Sequence, residues 1–159
     1  MPFALNNKVF KRQTDLVTPK ELTFPILIIG AGGIGSWTTL TLAKMGSSNI
    51  TVIDPDNVEP HNLASQFYKV HQVGQSKVYA LFDLIKEFCH IDIFPHDLKF
   101  ENLNKDKLIF KVIICAVDSL KARQKIWKIV KQNTDWDCFI DARMGGEVLR
   151  IFVVNPLFK

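Results

Sequence analysis

Residues Ile26-Leu-Ile-Ile-Gly-Ala-Gly-Gly-Ile-Gly35 constrain this chain more than any other stretch. Four apolar residues in a row read as a short buried strand. The glycines that follow let the backbone turn tightly and approach a ligand with no Cβ in the way. A helix opening at such a turn aims free N–H groups and its positive dipole end outward, which makes a seat for phosphate. A second apolar strand, Ile50 to Asp54, ends nineteen residues beyond Gly35 in a carboxylate. Asp54 is placed to accept hydrogen bonds from a ribose hydroxyl pair. The pattern names a ligand class, an adenine nucleotide. It leaves the reaction open, because NAD- and FAD-binding proteins share it.

The residues after Asp54 sharpen the reading. They run Asp54-Pro-Asp-Asn-Val-Glu-Pro-His-Asn-Leu-Ala-Ser-Gln66, then Val73-Gly-Gln-Ser-Lys77. A dinucleotide site has no need of this second polar stretch. Asn62, Gln66 and Lys77 offer the amide donors and the cation that a triphosphate requires. Ile113 to Val117 forms a third apolar strand with Asp118 just past it. In a doubly wound sheet that edge faces the ligand crevice, and a carboxylate there suits Mg²⁺ on phosphates.

Taken together, these pieces resemble the ThiF/MoeB/HesA family, the adenylating enzymes related to ubiquitin-activating enzymes. The likeness covers about residues 9 to 154. It rests on the glycine loop, Asp54-Pro-Asp-Asn-Val-Glu59, His61-Asn-Leu-Ala-Ser-Gln66, Gly74-Gln-Ser-Lys77, and Asp118 with Arg123 five residues on. Arg12-Gln13 matches the family's N-terminal Arg-Gln pair. The resemblance implies ATP and Mg²⁺ as cofactors and a small ubiquitin-like or sulfur-carrier protein as partner. The partner's C-terminal carboxylate would attack the α-phosphorus, giving an acyl-adenylate and pyrophosphate. It further implies Gly30, Gly32, Gly33 and Gly35 on the phosphates, Asp54 at the ribose, and Asp56 as a further nucleotide-binding residue. Asn62 and Gln66 would lie near the phosphates and Lys77 on their charge. Asp118 would hold the metal, Arg123 would be a further site cation, and Arg12 would reach the site of a neighbouring subunit in a homodimer.

Two departures stand out. Where the family often has an arginine within Asn-x-x-Arg-Gln, this chain has Ser65. No cysteine sits in a Cys-x-x-Cys pair, so neither the zinc segment nor the catalytic cysteine of longer relatives is expected here. A catalytically silent homologue that binds a ubiquitin-like partner or an active subunit is the alternative reading. An NAD- or FAD-binding protein is a further one.

The spacing of elements predicts a Rossmann-like α/β fold: a mostly parallel sheet, helices on both faces, and a C-terminal strand close enough to its predecessor to run antiparallel. The expected division is an N-terminal arm, residues 1–24, and an adenylation domain, residues 25–159. Helices are expected over about 33–45, 77–90 and 119–132, with Ser76 capping the second. The expected inward stripes are Ile34, Trp37, Leu40 and Met45 in the first, Val78, Leu81, Phe82, Ile85 and Phe88 in the second, and Leu120, Ile126, Trp127 and Val130 in the third. Residues 91–98 read as an edge strand because of Pro95.

The net charge of +4 comes from scattered lysines, with no basic block interleaved with aromatics, so nucleic acid is not expected. The three cysteines are odd in number and widely spaced, which fits a reducing compartment and no disulfide framework. No secretory signal or membrane-spanning run is legible, so a cytoplasmic protein without membrane contact is expected. His61, His71, His90 and His96 lack metal-ligand spacing, and Cys115 reads as a small core residue.

Overall fold

Alternation along β1, Ile26–Ile29, divides the core in two. Ile26 and Ile28 point to one face of the sheet, and Leu27 and Ile29 to the other. All four are buried, as expected of a central parallel strand covered on both sides. The structure is a computed structural model and describes residues 9–103, 109–132 and 135–156. Parts of the expected arm (1–8) and of the expected domain (157–159) therefore lie outside the described residues.

The remaining strands are β2 (Ile50–Ile53), β3 (Phe94–His96), β4 (Val112–Cys115), β5 (Cys138–Gly145) and β6 (Val148–Val154). The sheet order is β3-β2-β1-β4-β5-β6. All pairs are parallel except β5 with β6, an antiparallel hairpin in which Arg143 faces Arg150 and Asp141 faces Phe152. The fold is thus Rossmann-like α/β, mostly parallel, with an antiparallel C-terminal pair. Pro95 lies in β3, a three-residue edge strand, where its missing N–H does no harm.

Helices α1 (Gly35–Lys44) and α2 (Lys77–Cys89) cover one face, and α3 (Leu120–Val130) covers the other. Leu40, Ala43, Val78, Leu81 and Ile85 pack on Ile26, Ile28, Ile50 and Val52. Ile126 and Val130 pack with Leu27, Ile113 and Phe139 on the opposite side. Each fully buried side chain of this size contributes about 1.5–3 kcal/mol.

Several expected contacts are corrected. The inward face of α1 is Gly35, Ser36, Thr39, Leu40 and Ala43, and Trp37 is exposed. Small residues are needed there because the helix lies close to the sheet. In α2, Leu84 and Cys89 are buried and Phe88 is exposed. Leu120 does not face the core; it is 65% exposed at the start of α3. Ser76 occupies the N-cap position of α2 but accepts no capping bond. The arm also buries more than its polarity suggests: Phe10 packs near Gly46, and Leu22 is buried. Gln13 Nε2 donates to the Met45 carbonyl at 2.7 Å, tying the arm to the C-terminal end of α1. Among the described residues, no helix is long and apolar enough to cross a membrane.

Candidate nucleotide-binding site

The sheet order reverses at β1, with β2 on one side and β4 on the other. Ligands of open parallel sheets settle in the crevice outside the strand ends at such a point. A cleft of about 870 Å³ lies there. Gly30, Gly32, Gly33, Asp54, Asp56, Gln66, Lys77, Asp118 and Arg123 all line it. Its lining carries seven Lys or Arg residues against four Asp or Glu, a positive balance suited to a polyanion.

Two glycines of the turn are required by geometry. Gly30 has φ +100, and a Cβ there would meet the Ala116 carbonyl carbon at 2.9 Å. A Cβ on Gly35 would lie 1.8 Å from the Gly30 carbonyl oxygen, so this residue closes the turn without lining the cleft. Around Gly32 there is open space. The N–H groups of Gly32, Gly33, Ile34 and Gly35 donate to no protein group among the described residues. They form the free N-terminal end of α1. Tyr68 fixes the turn from outside, its hydroxyl donating to the Ala31 carbonyl at 2.6 Å.

Asp54 sits at the end of β2, only 6% exposed. Its Oδ2 accepts the Ala31 N–H at 2.6 Å and its Oδ1 the Asp56 N–H at 2.9 Å. Burial pushes its carboxyl above the usual range, against the pull of these two N–H groups and the Lys77 charge. Each oxygen keeps a lone pair able to accept a hydroxyl.

Lys77 reaches the same region because residues 56–58 bridge to residues 74–77. The Val58 N–H donates to the Gln75 carbonyl, and the Lys77 N–H donates to the Asp56 carbonyl. The largely buried Lys77 ammonium lies 3.2 Å from the exposed Asp56 carboxylate. Asp118 follows β4 and is exposed. Ser119, one residue on, takes the cap of α3 by accepting the Ala122 N–H at 3.3 Å, which leaves the Asp118 carboxylate free of that task.

Besides Gly35, three expected site residues differ in placement or in what they are bonded to. Asn62 is buried outside the cleft lining, and its Oδ1 accepts the Glu59 N–H at 3.0 Å, bracing the loop. Arg123 lines the cleft but is buried and bonded to Asp141 and to the Cys115 and Val117 carbonyls. Arg12 is exposed on the arm and does not line this cleft.

Sequence reasoning missed Lys99, Glu101, Lys121, Lys125 and Arg150, which complete the cleft rim. Nothing local marks Lys99 and Glu101, since only the crossover from β3 brings them over the crevice. Arg150 was legible in principle, as the partner of Arg143 across a short hairpin. The cysteines form no disulfide among the described residues. Burial pushes the Cys115 thiol up, so it is an inert core group. No cluster of three or more His, Cys, Asp or Glu able to hold a metal occurs among the described residues.

The ThiF family model matches residues 13–142, which carry the glycine turn, the acid at the end of β2 and the Asp118 region. The chain belongs to the ThiF family. This ThiF-family chain is 36% identical over 138 residues to the NEDD8-activating enzyme E1 catalytic subunit of Arabidopsis thaliana, covering 76% of this chain and 30% of that protein. It is 35% identical over 105 residues to the adenylyltransferase and sulfurtransferase MOCS3-1 of Zea mays, covering 64% of this chain and 22% of the relative. The chain thus spans less than a third of the length of these curated relatives. Among solved structures it is similar to tRNA N6-threonylcarbamoyladenosine dehydratase TcdA of E. coli, solved in complex with ATP. The TM-score is 0.77 at 20% identity, with 93% of this chain and 64% of the other covered. That likeness shows the fold.

Proposed function

We propose that this ThiF-family chain binds ATP with Mg²⁺ and adenylates the C-terminal carboxylate of a small ubiquitin-like or sulfur-carrier protein, releasing pyrophosphate. The observation that carries the reading is the convergence of Asp54, Lys77, Asp118 and the undonated N–H groups of Gly32, Gly33 and Ile34 around one cleft. NEDD8-activating and adenylyltransferase relatives support the reaction class.

In this reading Asp54 holds the ribose and the N–H groups of Gly32, Gly33 and Ile34 hold phosphate oxygens. Lys77 and Gln66 stabilise charge on the departing pyrophosphate. The protein aligns the reactants and cancels charge, so no covalent nucleophile is needed. The donor set fits Mg²⁺, which favours one or two carboxylates plus phosphate oxygens and water over an all-protein cage. Asp118 would hold it. When bound, the ion would neutralise phosphate charge.

The test is ATP–pyrophosphate exchange with candidate carrier proteins, together with calorimetry of ATP–Mg²⁺, NAD and FAD. Carrier-dependent exchange and micromolar ATP binding are expected. Binding of NAD or FAD with no ATP binding overturns the reading. Ser65 favours a second reading, a silent homologue that supports an active subunit: its hydroxyl offers no charge where the family often has an arginine. That reading gives ATP binding without exchange.

A further inference from the structure

The cleft has a second basic end that phosphate binding does not use. Arg143 lines it on β5, two residues beyond Asp141. Its Nε donates to Asp141 Oδ2 at 2.9 Å, and its Nη2 bonds the same oxygen. The guanidinium lies 4.7 Å from the centroid of the Phe152 ring. Its Nη1 has no hydrogen-bond partner among the described residues. The group is therefore held in place on one side and open on the other.

The charges around it do not balance. Asp141 is already paired with the buried Arg123, so one carboxylate faces two guanidinium groups. Arg150 lies directly opposite Arg143 across the hairpin. Like charges facing each other on an antiparallel pair are destabilising. An anion between them removes that penalty.

Resting on the adenylation reading, we propose that Arg143, seconded by Arg150, binds and orients the carboxylate that attacks the α-phosphorus. The sheet order supplies the direction. Asp54 ends β2, the glycine turn follows β1, Asp118 follows β4, and Arg143 lies on β5. Lys77 stands at the Asp54 end of this row, its ammonium 3.2 Å from the Asp56 carboxylate, and Arg143 stands at the other end. An in-line displacement needs its incoming and departing oxygens on opposite sides of phosphorus. One carboxylate oxygen forms a bond to the α-phosphorus. The bond from that phosphorus to the bridging oxygen of the β-phosphate breaks, and its electron pair leaves with pyrophosphate. No proton is transferred. An arginine is suited to the incoming group because it grips carboxylates through paired N–H bonds and stays charged.

A carboxylate, and not a further phosphate, is favoured by what adjoins it. A groove of about 300 Å³ shares Leu120, Arg123 and Arg143 with the cleft. It continues between α3 and the hairpin along Trp127, Phe152 and Val154. These walls suit the residues that precede a polypeptide's C-terminal carboxylate.

The test uses N-acetylglycine as the simplest C-terminal carboxylate and N-acetylglycinamide as its neutral control. The Arg143 Nε–H resonance, assigned by its loss in Arg143→Gln, is followed by NMR in the wild-type protein. The acid is expected to shift it and the amide to leave it in place. In exchange assays Arg143→Gln is expected to raise the KM for the carrier about tenfold to a hundredfold, with ATP affinity by calorimetry within a factor of about two. Equal shifts from both probes, no shift from the acid, or a loss of ATP affinity with unchanged carrier KM overturns the proposal. Absence of ATP binding by the wild-type protein sinks the adenylation reading alone, because the acid titration reports on Arg143 without nucleotide.

Discussion

Lys77 and Asp118 approach the cleft from opposite ends of the nucleotide turn, one at the start of α2 and one beyond β4. Neither is needed to fill the core. Lys77→Ala and Asp118→Ala are each expected to lower carrier-dependent exchange by about 10²–10³ while leaving the melting curve close to wild type, as is usual when one preorganised charge contact is lost. Exchange rates read beside thermal unfolding check this. Asp54 makes a different prediction. Its carboxyl is raised by burial, so between its ordinary value and its folded value the native state holds the extra proton. Stability from this group is present at low pH and falls as pH rises through that window. Asp54→Asn should flatten that slope in a series of melting temperatures against pH; an unchanged slope counts against it. The residue types around the glycine turn were legible because their chemistry is local. Asn62 was not, since its side-chain bond to the Glu59 N–H depends on the turn it helps to build. The ion pair that buries Arg123 was not legible, because its carboxylate partner, Asp141, lies eighteen residues on, in another element.

Among the elements, the strand-turn-helix unit of β1 and α1 is the one that tolerates least. Gly35→Ala would press a methyl group into the Gly30 carbonyl, and only backbone movement could relieve it. A loss of about 3 kcal/mol or more is expected, at the upper end for overpacking. Gly32→Ala meets no atom and should leave stability within about 0.5 kcal/mol while its methyl intrudes on the phosphate side of the cleft and weakens ATP binding. Denaturant unfolding and calorimetry on both variants separate the two roles. Helix and strand positions were legible to within a few residues, since periodicity and flanking glycines fix them. Which stripe faces inward was less so. In α1 the buried face includes Gly35, Ser36 and Thr39, residues whose smallness matters more than their polarity. Leu120 reads as core by type, yet it stands at the mouth of the cleft.

For the molecule as a whole, the arm raises the question of assembly. Gln13 fastens it to the end of α1 away from the glycine turn, and α1 is about 15 Å long. Arg12 is thus distant from its own cleft and free to serve another. In the homodimer that the family resemblance implies, mixing Arg12→Ala with Asp118→Ala protein should restore part of the exchange activity, because one site of each hybrid carries both residues. Sedimentation and mixed-variant assays check it; a monomer at high concentration, or no recovery, counts against it. The two borders of the sheet also differ. β3 is short and carries a proline, whereas β6 runs seven residues with Val148, Leu149, Ile151, Phe152 and Val153 exposed. Strand borders of the second kind recruit further strands, and soluble proteins usually blunt them with charge. This polypeptide is therefore expected to have a low ceiling on monodisperse concentration when handled alone. Ile151→Lys should raise that ceiling, as read by light scattering across a dilution series, without moving the nucleotide affinity.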